Sequence, residues 1–119
     1  MDARYTKAVQ KFMGKTLEMD NLKVFVPEKI ADYEHQADVL HQCIVENGYY
    51  EKVADKDCVL VFITKENEPY ATAELIKKGR KFKLGQFYGD EDLEDYEAKP
   101  DAVNALNIWA KTYKLNIAS

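Results

Sequence analysis

Two oppositely charged runs sit close together in this sequence. Residues 77–83 carry Lys77, Lys78, Arg80, Lys81 and Lys83 and no acid, a local charge of +5. Residues 89–97 carry Asp90, Glu91, Asp92, Glu94, Asp95 and Glu97 and no base, a local charge of −6. A turn bearing five cations could hold a phosphate backbone or an acidic protein surface. The acidic run could occupy a basic groove built for nucleic acid. The plain alternative is two solvated turns that partly pair with each other, since such runs are common on surfaces. Gln86, between the runs, offers an amide that could hydrogen-bond a base or a phosphate.

His41 and Cys43 invite a nucleophile or a zinc reading. On a helix, positions two apart point about 200° from each other, so the pair does not face one site. His35 is the only other histidine, and there is no CxxC or HExxH pattern, so no metal site is expected. Cys43 and Cys58 read as reduced, unbridged thiols, with Cys43 near the core and His41 nearer solvent. Neither a glycine-rich phosphate loop nor a serine elbow is present, and no cofactor is expected. What remains for acid–base work is His41 as a general base with Glu74 as a partner, and Arg80, Lys81 or Lys83 to neutralise a phosphate. Tyr49, Tyr50 and Tyr70 read as packing groups rather than base-stacking platforms.

The elements that position these residues follow from periodicity. Tyr5, Val9, Phe12 and Met13 have helical spacing ahead of Gly14. Residues 22–26 alternate as a short strand ended by Pro27. Ile30, Tyr33, Ala37, Leu40 and Ile44 form one stripe, predicting a long helix over residues 28–46 stopped by Asn47-Gly48. Residues 59–63 are a continuous apolar strand, followed by alternating segments at 70–76 and 81–88 with short turns between them. The acidic run reads as a loop. Pro100-Asp101 opens a last helix with Val103, Leu106, Ala110 and Tyr113 inward. The expected fold is α+β: a small three- to four-stranded antiparallel meander with helices packed on one face.

At 119 residues the chain is expected to be one domain, residues 1–119, and its 46% apolar and 32% charged composition is that of an ordinary globular protein. The net charge of −4 argues against coating nucleic acid by bulk charge. No apolar run is long enough for a membrane span and the first residues do not read as a signal peptide, so a cytoplasmic location is expected.

Short segments in a set order also carry a family resemblance: Val24-Phe25-Val26-Pro27; residues 40–44 ahead of Gly48-Tyr49; residues 59–63; Pro69-Tyr70-Ala71-Thr72-Ala73-Glu74; Gln86-Phe87-Tyr88-Gly89; and the Trp109 helix. Over most of the chain the pattern resembles the PcfJ-like domain of conjugative plasmids and related mobile elements. Members of that family prefer Leu-x-His-Cys-Val-Gly, where this chain reads Leu40-His41-Gln42-Cys43-Ile44-Val45. Gln42 fills the family's His position and Val45 its Gly. A catalytic role for that His would be lost here, or taken by His41 from another helical face, which weakens an enzyme assignment.

The resemblance implies a mobile-element context more than a reaction. A small acidic single-domain protein without a catalytic set resembles the general type of anti-CRISPR proteins. That type implies an inhibitory binding protein that blocks a Cas9-type nuclease or its guide RNA assembly, with a protein or ribonucleoprotein partner, Cas9 and its guide RNA, whose channels are strongly positive. The residues expected to make contact are Lys77, Lys78, Arg80, Lys81, Lys83 and Gln86 on the basic side. On the acidic side they are Asp90, Glu91, Asp92, Glu94 and Asp95. The alternatives are a small ribonuclease using His41 and Glu74, or a non-catalytic accessory of conjugation. No membrane partner is expected.

Overall fold

The computed structural model describes residues 2–118. In chain order the elements are helix α1 (Ala3–Val9) running into a 3-10 turn (Gln10–Phe12), strands β1 (Leu17–Met19) and β2 (Leu22–Phe25), helices α2 (Ile30–Leu40) and α3 (Tyr49–Ala54), strands β3 (Cys58–Lys65), β4 (Glu68–Lys78) and β5 (Lys81–Tyr88), helix α4 (Pro100–Thr112) and strand β6 (Ile117–Ala118). The six strands form one sheet in sequence order. The pairs from β1 to β5 are antiparallel, and β6 adds to β5 in parallel. The α+β class and the 58–88 meander are as expected. The sheet is larger and mixed, because β1 and β6 are too short to leave a periodic signal.

Residues 58–63 are all buried. Successive strand residues point to opposite faces, so an unbroken buried run requires cover on both sides. The expectation of helices on one face is therefore corrected. On one side Tyr33 of α2 packs on Phe62, with ring centroids 5.4 Å apart. Tyr5 of α1 stacks on Tyr50 of α3 at 4.2 Å and donates its hydroxyl hydrogen to the Pro27 carbonyl at 2.7 Å. Toward the other side, Trp109 of α4 stacks on Phe12, which meets Phe82 of β5. The indole of Trp109 donates to the Lys15 carbonyl at 2.7 Å, fixing α4 to the segment after α1.

Two helix boundaries differ from the periodic reading. α2 stops at Leu40 because His41 turns left-handed (φ 54°) and the next amide, of Gln42, bonds back to the Ala37 carbonyl. Ile44 is buried all the same, from a turn rather than a helix, which is why the stripe ran on too far. After Gly48 (φ 73°) the short helix α3 begins, which no strong pattern announces. In α4 the buried stripe is Ala102, Ala105, Leu106, Trp109 and Ala110, whereas Val103 is 38% exposed and Tyr113 is half-buried. The inward face is rotated toward the small alanines, which let α4 sit close to the sheet.

Trp109→Ala is expected to destabilise the fold by about 3–5 kcal/mol. Trp109→Phe, which keeps a ring but strands the Lys15 carbonyl, should cost about 1–3 kcal/mol. Urea unfolding followed by circular dichroism checks both; equal and small effects would show that α4 is not anchored through this side chain.

Candidate functional site

Strand β5 sets the distance between the two charged runs. Lys81 and Lys83 already lie on it, so the nearest members of the two runs, Lys83 and Asp90, are at most roughly 23 Å apart at about 3.3 Å per residue. The basic run forms the β4–β5 turn, with Gly79 in the left-handed region (φ 63°). Lys77, Lys78, Arg80, Lys81 and Lys83 are exposed, and none of the five forms an ion pair among the described residues. Lys78 lies directly opposite Lys81 across the strand pair, a like-charge arrangement that costs stability.

The turn does not stand alone. Beside it a pocket of about 500 Å³ opens at the end of the sheet. Lys7 and Lys11 reach it from the first helical segment, Lys56 from the turn after α3, and Lys77 from β4. Its apolar lining includes Ala8, Val53, Val59 and Phe82, with Gln10 and Cys58 also at the wall and no acidic side chain. The Lys11 ammonium rides over the rings of Phe12 and Phe82, 5.3 and 5.1 Å from their centroids. Burial, and then the charges of Lys77, Lys15 and Lys56, hold it below the ordinary lysine range. Burial pushes the Cys58 thiol up to about 12, so it is an inert wall rather than a nucleophile. Of the neighbouring acids, Glu51 and Asp55 on the α3 side both pair with Arg4 of α1, while Asp57, between the lining residues Lys56 and Cys58, is close enough to help raise the Cys58 thiol. Lys7, Lys11 and Lys56 escape sequence reasoning because they lie 20 to 70 positions from the basic run and look like ordinary solvated lysines.

The acidic run is a folded loop. The Glu91 amide donates to the Leu40 carbonyl at 2.9 Å and the Gly89 amide to the Tyr96 carbonyl at 2.7 Å. Tyr96 also meets the ring of Tyr88 edge-on. His41, swung out by its left-handed backbone, places Nδ1 2.8 Å from Asp90 and 3.4 Å from Asp92. The hydrogen bond to Asp90 raises the His41 pKa, and the same bond lowers that of Asp90. Burial raises the Glu91 carboxyl. His41, Asp90 and Asp92 are the one group of clustered metal-donor side chains among the described residues, and here they are joined to one another as an ion pair.

Glu74 and Gln86 meet across an irregularity in the β4–β5 ladder. Ala73 pairs with Phe87 and Leu75 with Leu84, so Glu74 faces both Gly85 and Gln86. A Cβ at Gly85 would lie 2.7 Å from the Glu74 Oε1, so Glu74 packs directly over this glycine. Glu74, Gln86 and Glu91 line one depression of only about 30 Å³ with Tyr49 and Thr72. Burial chiefly, and then the nearby Glu74 carboxylate, raise the Tyr49 phenol. His41 does not line this depression and neither does any of the five cations. The expected acid–base pair, His41 and Glu74, is thus not brought together in one site, although Lys83, opposite Ile76, lies near Glu74.

Cys43 is exposed, which corrects the expectation that it lies near the core; it and Cys58 are unbridged. The buried neighbour is Gln42, whose Oε1 accepts from the Thr72 hydroxyl at 2.7 Å and whose Nε2 donates to the Tyr88 and Gly89 carbonyls. Thr72 in turn accepts from Gln36 of α2. Where the PcfJ-like pattern carries a histidine, this chain has a structural amide tying the exit of α2 to β4 and β5.

Gln42→Leu should cost about 1–3 kcal/mol by stranding these partners, and should speed hydrogen exchange at the Glu91 amide; unchanged exchange would mean the loop is held otherwise. The His41–Asp90 contact carries a pH dependence. His41 is raised in the folded chain, so its contribution is complete below the free-imidazole value near 6.5 and is lost as pH rises through the folded value. Asp90 is lowered, so its contribution is lost only as pH falls through that lowered value. The contact is therefore strongest at mildly acidic pH. An NMR titration should place His41 above 6.5, and Asp90→Asn should bring it back down; a His41 value untouched by Asp90→Asn would contradict the contact. No protein-family model matches the chain and no curated protein matches its sequence.

Proposed function

We propose that this is a non-catalytic binding protein of a mobile genetic element, as its PcfJ-like resemblance implies, and that its basic end engages the phosphates of a nucleic acid or ribonucleoprotein. The single observation that carries this reading is the gathering of unpaired cations at one end of the sheet. The five of the β4–β5 turn are continuous, through Lys77, with those of the adjoining pocket. In a chain of net charge −4 such a concentration is local, and local positive fields are what draw phosphate backbones. A guide RNA of a Cas9-type nuclease is the partner that the anti-CRISPR likeness suggests.

The ribonuclease alternative has less support. His41 is paired with Asp90, Glu74 belongs to a separate, water-sized depression, and of the cations only Lys83, opposite Ile76, lies near Glu74, on the far side of that depression's strand pair from His41. General acid–base work needs all of them within hydrogen-bond reach of one substrate.

Reversal of Lys78, Arg80, Lys81 and Lys83 to Glu should strongly weaken binding of labelled guide RNA while leaving the fold intact, since surface changes usually stay within about 0.5 kcal/mol each. The RNA should remain uncut with the unaltered protein. Its affinity should fall with salt by roughly 0.7 log units per log unit for each phosphate contacted. If neutralising Asp90, Glu91, Asp92, Glu94 and Asp95 abolishes partner binding and the basic reversal does not, the protein instead meets a positive groove with its acidic loop. Cleaved RNA would favour the enzyme.

A further inference from the structure

The pocket beside the turn has features that a surface for the middle of a strand does not need. A track for internal phosphodiesters requires exposed cations spaced along a groove, each meeting one negative charge. Here four lysines, Lys7, Lys11, Lys56 and Lys77, line one concavity of about 500 Å³, and Lys77 and Lys56 are close enough to act on the Lys11 ammonium. That volume lies within the range of small-molecule sites. The four come from three separate segments of the fold, so their convergence is a product of tertiary structure. Four lining residues are apolar, Phe82 and Val59 among them. Lys11 is held in place over Phe12 and Phe82 instead of extending into water. Arg4 fixes the two walls to each other by pairing α1 with Glu51 and Asp55 of the α3 segment. Four like charges held together without a counter-charge among the lining residues are best relieved by a compact dianion, and the apolar wall suits a flat, weakly polar group attached to it.

We propose that this pocket is a site for a terminal phosphomonoester carried on a nucleoside, either the phosphorylated end of a nucleic-acid strand or a free mononucleotide, held by Lys7, Lys11, Lys56 and Lys77 against the Phe82 wall. The proposal rests on the reading of the basic end as a phosphate-binding surface and adds to it a preference for ends. A phosphomonoester carries close to two negative charges at neutral pH, against one for an internal diester. The pocket lysines thus select the end, and the exposed Lys78, Arg80, Lys81 and Lys83 hold the chain that follows.

The test compares one short RNA in three forms, phosphorylated at the 5′ end, at the 3′ end, or at neither, and adds adenosine monophosphate and inorganic phosphate as separate probes. Phosphorylation of one end should tighten binding about tenfold or more. Adenosine monophosphate should compete for that increment better than inorganic phosphate. A variant with Lys11→Gln and Lys56→Asn should lose the increment while still binding all three strands weakly and equally; asparagine is chosen because Lys56 has a left-handed backbone (φ 65°) that it tolerates. The fourfold turn reversal should weaken all three strands but keep the preference. If strand ends make no difference yet adenosine monophosphate binds and the pocket variant abolishes it, the ligand is the free nucleotide. If the unaltered protein binds all three strands equally and binds no nucleotide, the pocket proposal is overturned while the basic-end reading survives. If it binds none of the probes, both fail.

Discussion

Strand β3 is buried on both faces for six residues in a row, and that constraint organises the rest of the molecule. A strand with two apolar faces needs two helical layers. A chain of 119 residues supplies them by sending α2 and α3 to one side, α4 to the other, and α1 with its 3-10 turn past the end of the sheet. Tyr5 faces the tyrosines of α2 and α3, while Phe12, two turns on, faces Trp109 of α4. The polar side of this connecting segment is left at the sheet end, and Lys7 and Lys11 stand on it. The pocket is therefore a consequence of how the core is closed.

The same sheet keeps the charges apart. The screening length at physiological salt is about 8 Å, roughly a third of the span of β5. The basic turn and the acidic loop do not neutralise each other across such a distance, and the ion pairs of the loop are made with His41 and Lys99 instead. The loop is held by backbone bonds to α2 and β5 and by the buried Gln36–Thr72–Gln42 chain beneath it. The basic end is also held by backbone bonds, but among the described residues its cations form no ion pair. Asp90, Asp92 and Asp95 of the acidic run are thus paired within the fold and the five cations of the basic run are not, which is why the second is read as the binding surface.

Much of this was legible in the residues. The apolar run at 59–63, the alternation through 70–88 and the Pro100 start of α4 each combine a clear period with a punctuating residue. The exposure of Lys81 and Lys83 follows from their place in that alternation. Other features left no local trace. β1 and β6 have three and two residues, and pairing with a neighbour, not propensity, makes them strands. The end of α2 at His41 depends on a left-handed turn without glycine, and the burial of Ile44 beyond it imitates another helical turn. The exposure of Cys43 and burial of Gln42 follow from that same turn. The lysines of the pocket are the clearest case: nothing in the spacing of Lys7, Lys11 and Lys56 relates them to Lys77, because only the closure of the core brings them together.

The most direct test of this account is a map of backbone amide shifts as unlabelled single-stranded RNA is added to the isotope-labelled protein. The account predicts that the perturbed amides cluster at residues 7–11, 56–59 and 77–83, and that those of residues 89–97 stay still. Perturbation centred on the acidic loop, or on the depression around Tyr49, Glu74 and Gln86, with the basic end unmoved, would contradict it.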